Sequence, residues 1–362
     1  MAMGTATNSK MRLLCSPLLQ GVLFMNWFHY KDGFALENGS SLPGFTLCYH
    51  TYGQLNARKD NVIWICHALT ASSDVEGWWP ELVGDGLPFD TRNYFVVCVN
   101  IIGSCYGSTG PLSINPLNNT PFYHQFPFIT IRDMVGTYQL LAKHLDIQKI
   151  QLLVGGSMGG YQALEWSLMQ PTLIEQLFLL VTSARESSWR IAIHTAQRMA
   201  IEADSTFAES FDKAGEKGLK AARAIGMLTY RNPYIYEDRQ RDEDTNKLDH
   251  FKASSYIEYQ GNKLAKRFNA FSYWVLTKAM DTHNLARGRN KSLEEILNAI
   301  SQRTLIIGIE TDILCPLHEQ EYLAQHIPHS ELIVIHSEYG HDGFLTERKH
   351  IETHLKRWLN EK

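Results

Sequence analysis

The chain has 362 residues, of which 44% are hydrophobic, 11% aromatic and 20% charged, enough apolar material to offset folding entropy and to exclude an intrinsically disordered protein. At this length a core domain carrying an insertion, or two domains, is expected. Lys and Arg number 34 against 38 Asp and Glu, a formal net charge of −4, which leaves no broad cationic surface for a nucleic-acid backbone or an anionic membrane.

Lys10 and Arg12 precede an apolar stretch from Leu13 to Phe28. Pro17, Gln20 and Gly21 interrupt it and no small-x-small cleavage site follows, so residues 1–28 read as a disordered or over-extended start rather than a signal peptide. No run of about 20 apolar residues spans a membrane. Up to residue 60, the turn signals Gly33, Asn38, Gly39, Pro43 and Gly44 separate short aromatic runs, which predicts antiparallel strands at one sheet edge.

Six nearly continuous apolar runs follow: Asn61 to Cys66, Tyr94 to Val99, Ile150 to Val154, Leu177 to Val181, Thr304 to Ile309 and Glu331 to Ile335. Such runs are strands covered on both faces, and their alternation with helical patterns predicts an α/β fold with a mostly parallel sheet. Thr130 and Asp133 form a capping-box-like start for a helix to about Leu145. A second helix is expected from just after Ser157 to near Gln170, before Pro171. From about Ala184 to Ser301 the strand pattern gives way to helical, charge-rich sequence. Its return at Thr304 predicts a helical lid, residues 184–301, inserted into a core of residues 29–183 and 302–362. The cysteines Cys15, Cys48, Cys66, Cys98, Cys105 and Cys315 are scattered with no C-x-x-C pair, which predicts a reducing cytoplasm with neither disulfides nor a zinc site.

Leu152-Leu153-Val154-Gly155-Gly156-Ser157-Met158-Gly159-Gly160 runs from an apolar strand through G-x-S-x-G into a helix, the pattern of a nucleophile elbow. A serine hydroxyl needs a base and a group that orients the base. In the order serine, acid, histidine, Asp312 follows the fifth of the six runs and His341 the sixth. Glu310 and His336 compete for those roles from positions nearer the strand ends. Backbone N–H groups of Met158, after the nucleophile, and Leu69, after an early strand, suit an oxyanion hole; each donor is typically worth about 3 kcal/mol. His67 suits a loop-fixing hydrogen bond. Phe268 to Trp274 read as packing within the insertion or a dimer contact rather than the wall of a passage. An esterase or amidase of the same fold remains an alternative from these residues alone. Lys217, Lys220 and Arg223 at helical spacing read by themselves as a solvated basic face.

His67-Ala68-Leu69-Thr70, Gly77-Trp78-Trp79, Gly107-Ser108-Thr109-Gly110-Pro111, the serine elbow, Tyr259-Gln260-Gly261 and Tyr339-Gly340-His341-Asp342-Gly343-Phe344 together resemble the homoserine O-acetyltransferase family, from about His29 to the C-terminus. The resemblance implies the α/β-hydrolase fold with an inserted helical lid. It implies transfer of an acetyl group from acetyl-CoA, as co-substrate with no further cofactor or metal, to the serine and then to L-homoserine, giving O-acetyl-L-homoserine for methionine biosynthesis. It further implies Ser157 as nucleophile, His341 as base and then acid, Asp312 as its partner, Arg223 with Tyr230 for the substrate carboxylate, and Asp342 for the ammonium group. A homodimer through the lid is implied as well. Ala71, where many members carry Gly, and Tyr106, where a basic residue is frequent, depart from the pattern near the acyl-donor side. They leave a succinyl donor or a serine acceptor open.

Overall fold

The computed structural model describes residues 24–361. Eight strands form one sheet: β1 (Phe24–Tyr30), β2 (Phe45–Tyr52), β3 (Val62–Cys66), β4 (Phe95–Val99), β5 (Ile150–Gly156), β6 (Gln176–Leu180), β7 (Arg303–Ile309) and β8 (Ser330–Ile335). Their spatial order is β1-β2-β4-β3-β5-β6-β7-β8. The β1/β2 and β2/β4 pairs are antiparallel and every other pair is parallel. All six apolar runs are thus strands, each within two residues of its expected bounds, and the antiparallel edge lies in the first 60 residues.

One boundary is corrected. Residues 24–28, assigned from sequence to the N-terminal extension, are the first part of β1, paired from Phe24 with Thr51 to Tyr30 with Phe45. Met25 and Trp27 point outward, about half exposed, while Phe28 is buried. An edge strand with apolar residues on both faces looks in sequence like the core of a leader peptide. Residues 1–23, with the rest of that apolar stretch and Cys15, lie outside the described residues.

Strand periodicity sorts the core into two layers. Val62, Trp64 and Cys66 pack with Met134, Tyr138, Tyr161 and Trp166 of α1 (Ile131–His144) and α2 (Met158–Met169). Ile63 and Ile65 face the opposite way, toward Ile351, Leu355 and Trp358, as alternation along a strand requires. The Thr130/Asp133 capping box opens α1. Between β6 and β7 the described residues contain no sheet strand but six helices: α3 (Ser188–Glu202), α4 (Glu216–Tyr230), α5 (Pro233–Gln240), α6 (Lys252–Ala265), α7 (Ala270–Asp281) and α8 (Leu293–Asn298). Ser187, Asn232 and Asn269 cap α3, α5 and α7 through their side chains, and Pro233 sits at the first position of α5, where a missing N–H costs nothing. The chain closes with α9 (Leu317–His326), α10 (Gly343–Thr346) and α11 (Arg348–Asn360). No helix among the described residues is long and apolar enough to cross a membrane.

Candidate active site

Ser157 ends β5 and begins α2 with φ 54° and ψ −123°, a strained conformation for a residue with a side chain. Three contacts hold it: its N–H donates to the Leu180 carbonyl at 2.9 Å, and the Gly160 N–H and Thr182 Oγ1 donate to its carbonyl at 2.9 and 3.0 Å. The turn also needs glycine where backbones meet. A Cβ on Gly159 would stand 2.0 Å from the Cys66 carbonyl oxygen, and one on Gly155 would stand 2.2 Å from the Gly159 oxygen. The end of β3 is thereby pressed against the start of α2.

Three expected side chains converge on this turn. His341 Nε2 lies 2.9 Å from Ser157 Oγ, and His341 Nδ1 lies 2.6 Å from Asp312 Oδ2. Asp312 Oδ1 accepts from the N–H groups of Leu314 and Cys315, both at 2.8 Å. The carboxylate therefore cannot turn, and its second oxygen must face the imidazole. Asp312 and His341 are both buried, which excludes water from their hydrogen bond. The competitors are occupied elsewhere: Glu310 and His336 bond to each other at 2.8 Å as a mostly exposed surface pair.

Met158 is the first residue of α2, where an N–H has no acceptor within the helix. Leu69 sits in a turn closed by the Ala71 N–H donating to the Ala68 carbonyl at 3.0 Å, and its own N–H makes no backbone hydrogen bond among the described residues. His67 braces this turn. The Ile101 N–H donates to its Nε2 at 3.3 Å, so Nδ1 carries the proton given to the Ala68 carbonyl at 2.8 Å. Burial lowers its pKa to about 4, and the neutral ring keeps that tautomer. From the other side Arg267, between α6 and α7, donates to the Thr70 carbonyl at 2.5 Å and to the Tyr106 hydroxyl. The helical block thereby brings a guanidinium against Tyr106.

These groups border a cavity of about 200 Å³ between the strand ends and the helical block, lined by Ser157, His341 and Leu69 on one side and Gln197, Arg223 and Tyr230 on the other. Arg223 stacks over the Tyr230 ring at 5.1 Å and has no carboxylate partner among the described residues. Asp342 also borders the cavity, but Arg231 Nε lies 2.9 Å from its Oδ2, an ion pair rather than a well-directed hydrogen bond. Burial raises the Asp342 carboxyl above its ordinary range, while Arg231, Arg223 and His341 pull it down. Asp342, expected to receive the ammonium group, thus already has a cationic neighbour in Arg231, which nothing in the sequence marks except adjacency to Tyr230. A larger polar hollow of about 880 Å³ around Arg185, Glu186 and His318 contains none of the three converging residues, whereas Ser157 and His341 both line the smaller cavity.

Other motifs prove to be supports. Ser108 Oγ donates to the Asn100 carbonyl and accepts from the Cys48 N–H, and Thr109 Oγ1 accepts from the Thr46 N–H, so the Gly-Ser-Thr-Gly-Pro run welds its loop to β2. Trp79 Nε1 donates to the Phe344 carbonyl at 3.0 Å, steadying the segment after His341. Phe268, Phe271 and Tyr273 are buried in the block, where Phe271 packs on Phe207 and Tyr123, as packing residues should. The described cysteines, Cys48, Cys66, Cys98, Cys105 and Cys315, are all unpaired.

Residues 61–348 match the model of the alpha/beta hydrolase fold family. A homoserine O-acetyltransferase of Cyclobacterium marinum is 45% identical over 348 residues, 96% of this chain and 99% of that protein. One of Chlorobaculum parvum is 46% identical over 88% of this chain and 90% of its own length. Among solved structures, a homoserine O-acetyltransferase from Bacillus anthracis superposes with TM-score 0.87 at 24% identity, covering 94% of this chain and 98% of that one. Esterase E22 superposes with TM-score 0.86 at 23% identity over 94% of this chain and all of that one. At such identities the structural likeness speaks for the fold alone, and two different chemistries share it.

Proposed function

The chain belongs to the homoserine O-acetyltransferase family, and from that premise we propose that it moves an acetyl group from acetyl-CoA to the hydroxyl of L-homoserine in two steps through an ester on Ser157. The observation that carries this reading is the unbroken line from Asp312 through His341 to Ser157, with contacts of 2.6 and 2.9 Å.

In the first step His341 Nε2 takes the Ser157 proton as Oγ attacks the thioester carbonyl, and Asp312 stabilises the imidazolium. The N–H groups of Met158 and Leu69 hold the oxyanion. Collapse breaks the carbon–sulfur bond, and His341 returns the proton to the leaving thiolate. In the second step His341 takes the proton of the homoserine hydroxyl, which attacks the ester. The new ester leaves, and Ser157 regains its proton. Arg223, unpaired beside Tyr230, receives the homoserine carboxylate, for which a guanidinium is suited by its bidentate fork. Asp342, partly neutralised by Arg231, faces the ammonium group.

A cavity of about 200 Å³ is smaller than the roughly 300–1,000 Å³ of sites that enclose a drug-sized ligand. It accommodates the acyl end of the donor and a small amino acid, with the nucleotide left outside. Placing the helices as a lid over the acyl-enzyme disfavours water and so favours transfer over hydrolysis. Leu228, Tyr234 and Leu248 on the block are exposed, which supports a homodimer through this region; the unpaired cysteines fit a reducing cytoplasm. The test is a thiol-release assay crossing acetyl-CoA and succinyl-CoA with L-homoserine and L-serine. Turnover is expected for the acetyl and homoserine pair well above the others. Equal release without any acceptor would favour an esterase instead.

A further inference from the structure

Gln197 lies on the buried stripe of α3, in line with Ile193 and Ile201. It is 1% exposed, it borders the reaction cavity, and among the described residues neither its Nε2 nor its Oε1 has a hydrogen-bond partner. A buried amide with both ends unmet is destabilising and rare in native proteins. The same fold treats its other buried glutamines differently. Gln162 accepts from the Tyr138 hydroxyl at 2.8 Å and donates to the Met158 carbonyl at 3.2 Å. Gln302 and Gln320 each donate to a backbone carbonyl and leave only the amide oxygen unmet, whereas Gln197 has both ends free among the described residues. On α3 itself the neighbours His194 and Arg198 both bond to Asp281, at 2.9 and 2.6 Å, although Arg198 Nη1 stays unmet.

The place of the orphaned amide is specific. Gly226, one turn beyond Arg223 on α4, leaves room for it: a Cβ there would stand 3.0 Å from Gln197 Nε2 and 3.1 Å from the Tyr230 ring. The amide therefore shares one corner of the cavity with the unpaired guanidinium and its stacked tyrosine. A group with both a donor and an acceptor matches a zwitterionic head, whose carboxylate accepts and whose ammonium donates.

We propose that Gln197 is a recognition residue for the α-amino-acid head of the acceptor, donating through its amide nitrogen to the carboxylate held by Arg223 and accepting from the ammonium through its oxygen. This rests on the acceptor being an amino acid, as argued above. It also accounts for an ammonium site in which Asp342 is already paired with Arg231.

The test compares wild type with Gln197→Leu and Gln197→Glu, using L-homoserine and 4-hydroxybutyrate, the same chain without the ammonium group. In Gln197→Leu, kcat/KM for homoserine is expected to fall about 10- to 100-fold, the range for hydrogen bonds to charged groups. Preference for homoserine over 4-hydroxybutyrate is expected to shrink with it, while acetylation of Ser157 by donor alone changes less than about two-fold. The leucine variant, freed of an unmet amide, is expected to melt at or above the wild-type temperature. Gln197→Glu, which keeps an acceptor but repels the carboxylate, should also raise the homoserine KM. An unchanged preference, an equal loss in both half-reactions, or variants that fail to fold would overturn the proposal, the last because it would mean the amide has internal partners. Wild-type turnover of homoserine in the same assay tests the acceptor reading separately.

Discussion

The two walls of the cavity are built on opposite terms. On the strand side the titratable groups around Ser157 are already satisfied: Asp312 uses both oxygens, His341 both ring nitrogens, and the bracing His67 both of its own. On the helical side, among the described residues, Arg223 lacks a carboxylate and the Gln197 amide lacks a hydrogen-bond partner. The difference separates chemistry from recognition. Groups that must keep one geometry through several proton transfers are pinned in advance, whereas groups that bind a ligand leave their hydrogen bonds for it to complete.

The sharpest way to break this contrast is to change a pinned group without changing its shape. In Asp312→Asn the Leu314 and Cys315 N–H groups claim the amide oxygen, so the amide nitrogen faces His341 Nδ1. The imidazole must then carry its proton on Nε2 and cannot accept one from Ser157. Transfer is expected to fall by about 10⁴-fold, as for the equivalent change in serine proteases, with stability nearly unchanged, as read by steady-state kinetics and thermal melting. A loss below about ten-fold would mean that the Asp312 contact does not set the tautomer.

A smaller and one-sided effect is expected on the helical wall. Arg223→Lys removes the planar fork but keeps the charge. The homoserine KM should rise about ten-fold or more while acetylation of Ser157 by the donor is little altered. Equal losses in the two half-reactions would place Arg223 with the catalytic groups instead.

The smallest effect concerns the supports. His67 is lowered to about 4 by burial. His283 is buried between α7 and α8, with Nε2 2.8 Å from the Ser183 carbonyl and its ring stacked on Tyr161, and burial lowers it to about 3. Both are neutral in the fold. The unfolded chain takes up protons on them below its ordinary value of about 6.5, before the folded chain does. Their contribution to stability is thus complete above about pH 6.5 and is lost as the pH falls toward 4. The melting temperature should be lower at about pH 5 than at about pH 7; a higher one would contradict buried, neutral rings.

Much of the strand wall was legible in sequence because its signals are local or ordered. Continuous apolar runs marked the strands, glycines around Ser157 marked the elbow, and Asp312 and His341 stood after the expected strands. The helical wall was far less so. Arg223 looked like part of a basic face and was assigned by resemblance, and Gln197 was missed. Its only trace is a polar residue in the apolar stripe of Ile193 and Ile201. The Arg231 partner of Asp342 and the Arg267 contact to Thr70 depend on segments brought together by the fold, with no spacing rule to reveal them. The strand β1 was partly misread because its two apolar faces imitate a leader.

Two-step transfer requires a covalent acetyl ester on Ser157, and mass spectrometry of the peptide carrying that residue tests for it directly. After mixing with acetyl-CoA in the absence of homoserine, the wild-type peptide should gain one acetyl group, Ser157→Ala should gain none, and added homoserine should discharge the ester as O-acetyl-L-homoserine. An unmodified Ser157 peptide, in enzyme that turns over normally once both substrates are present, would mean direct transfer and would contradict the two-step mechanism.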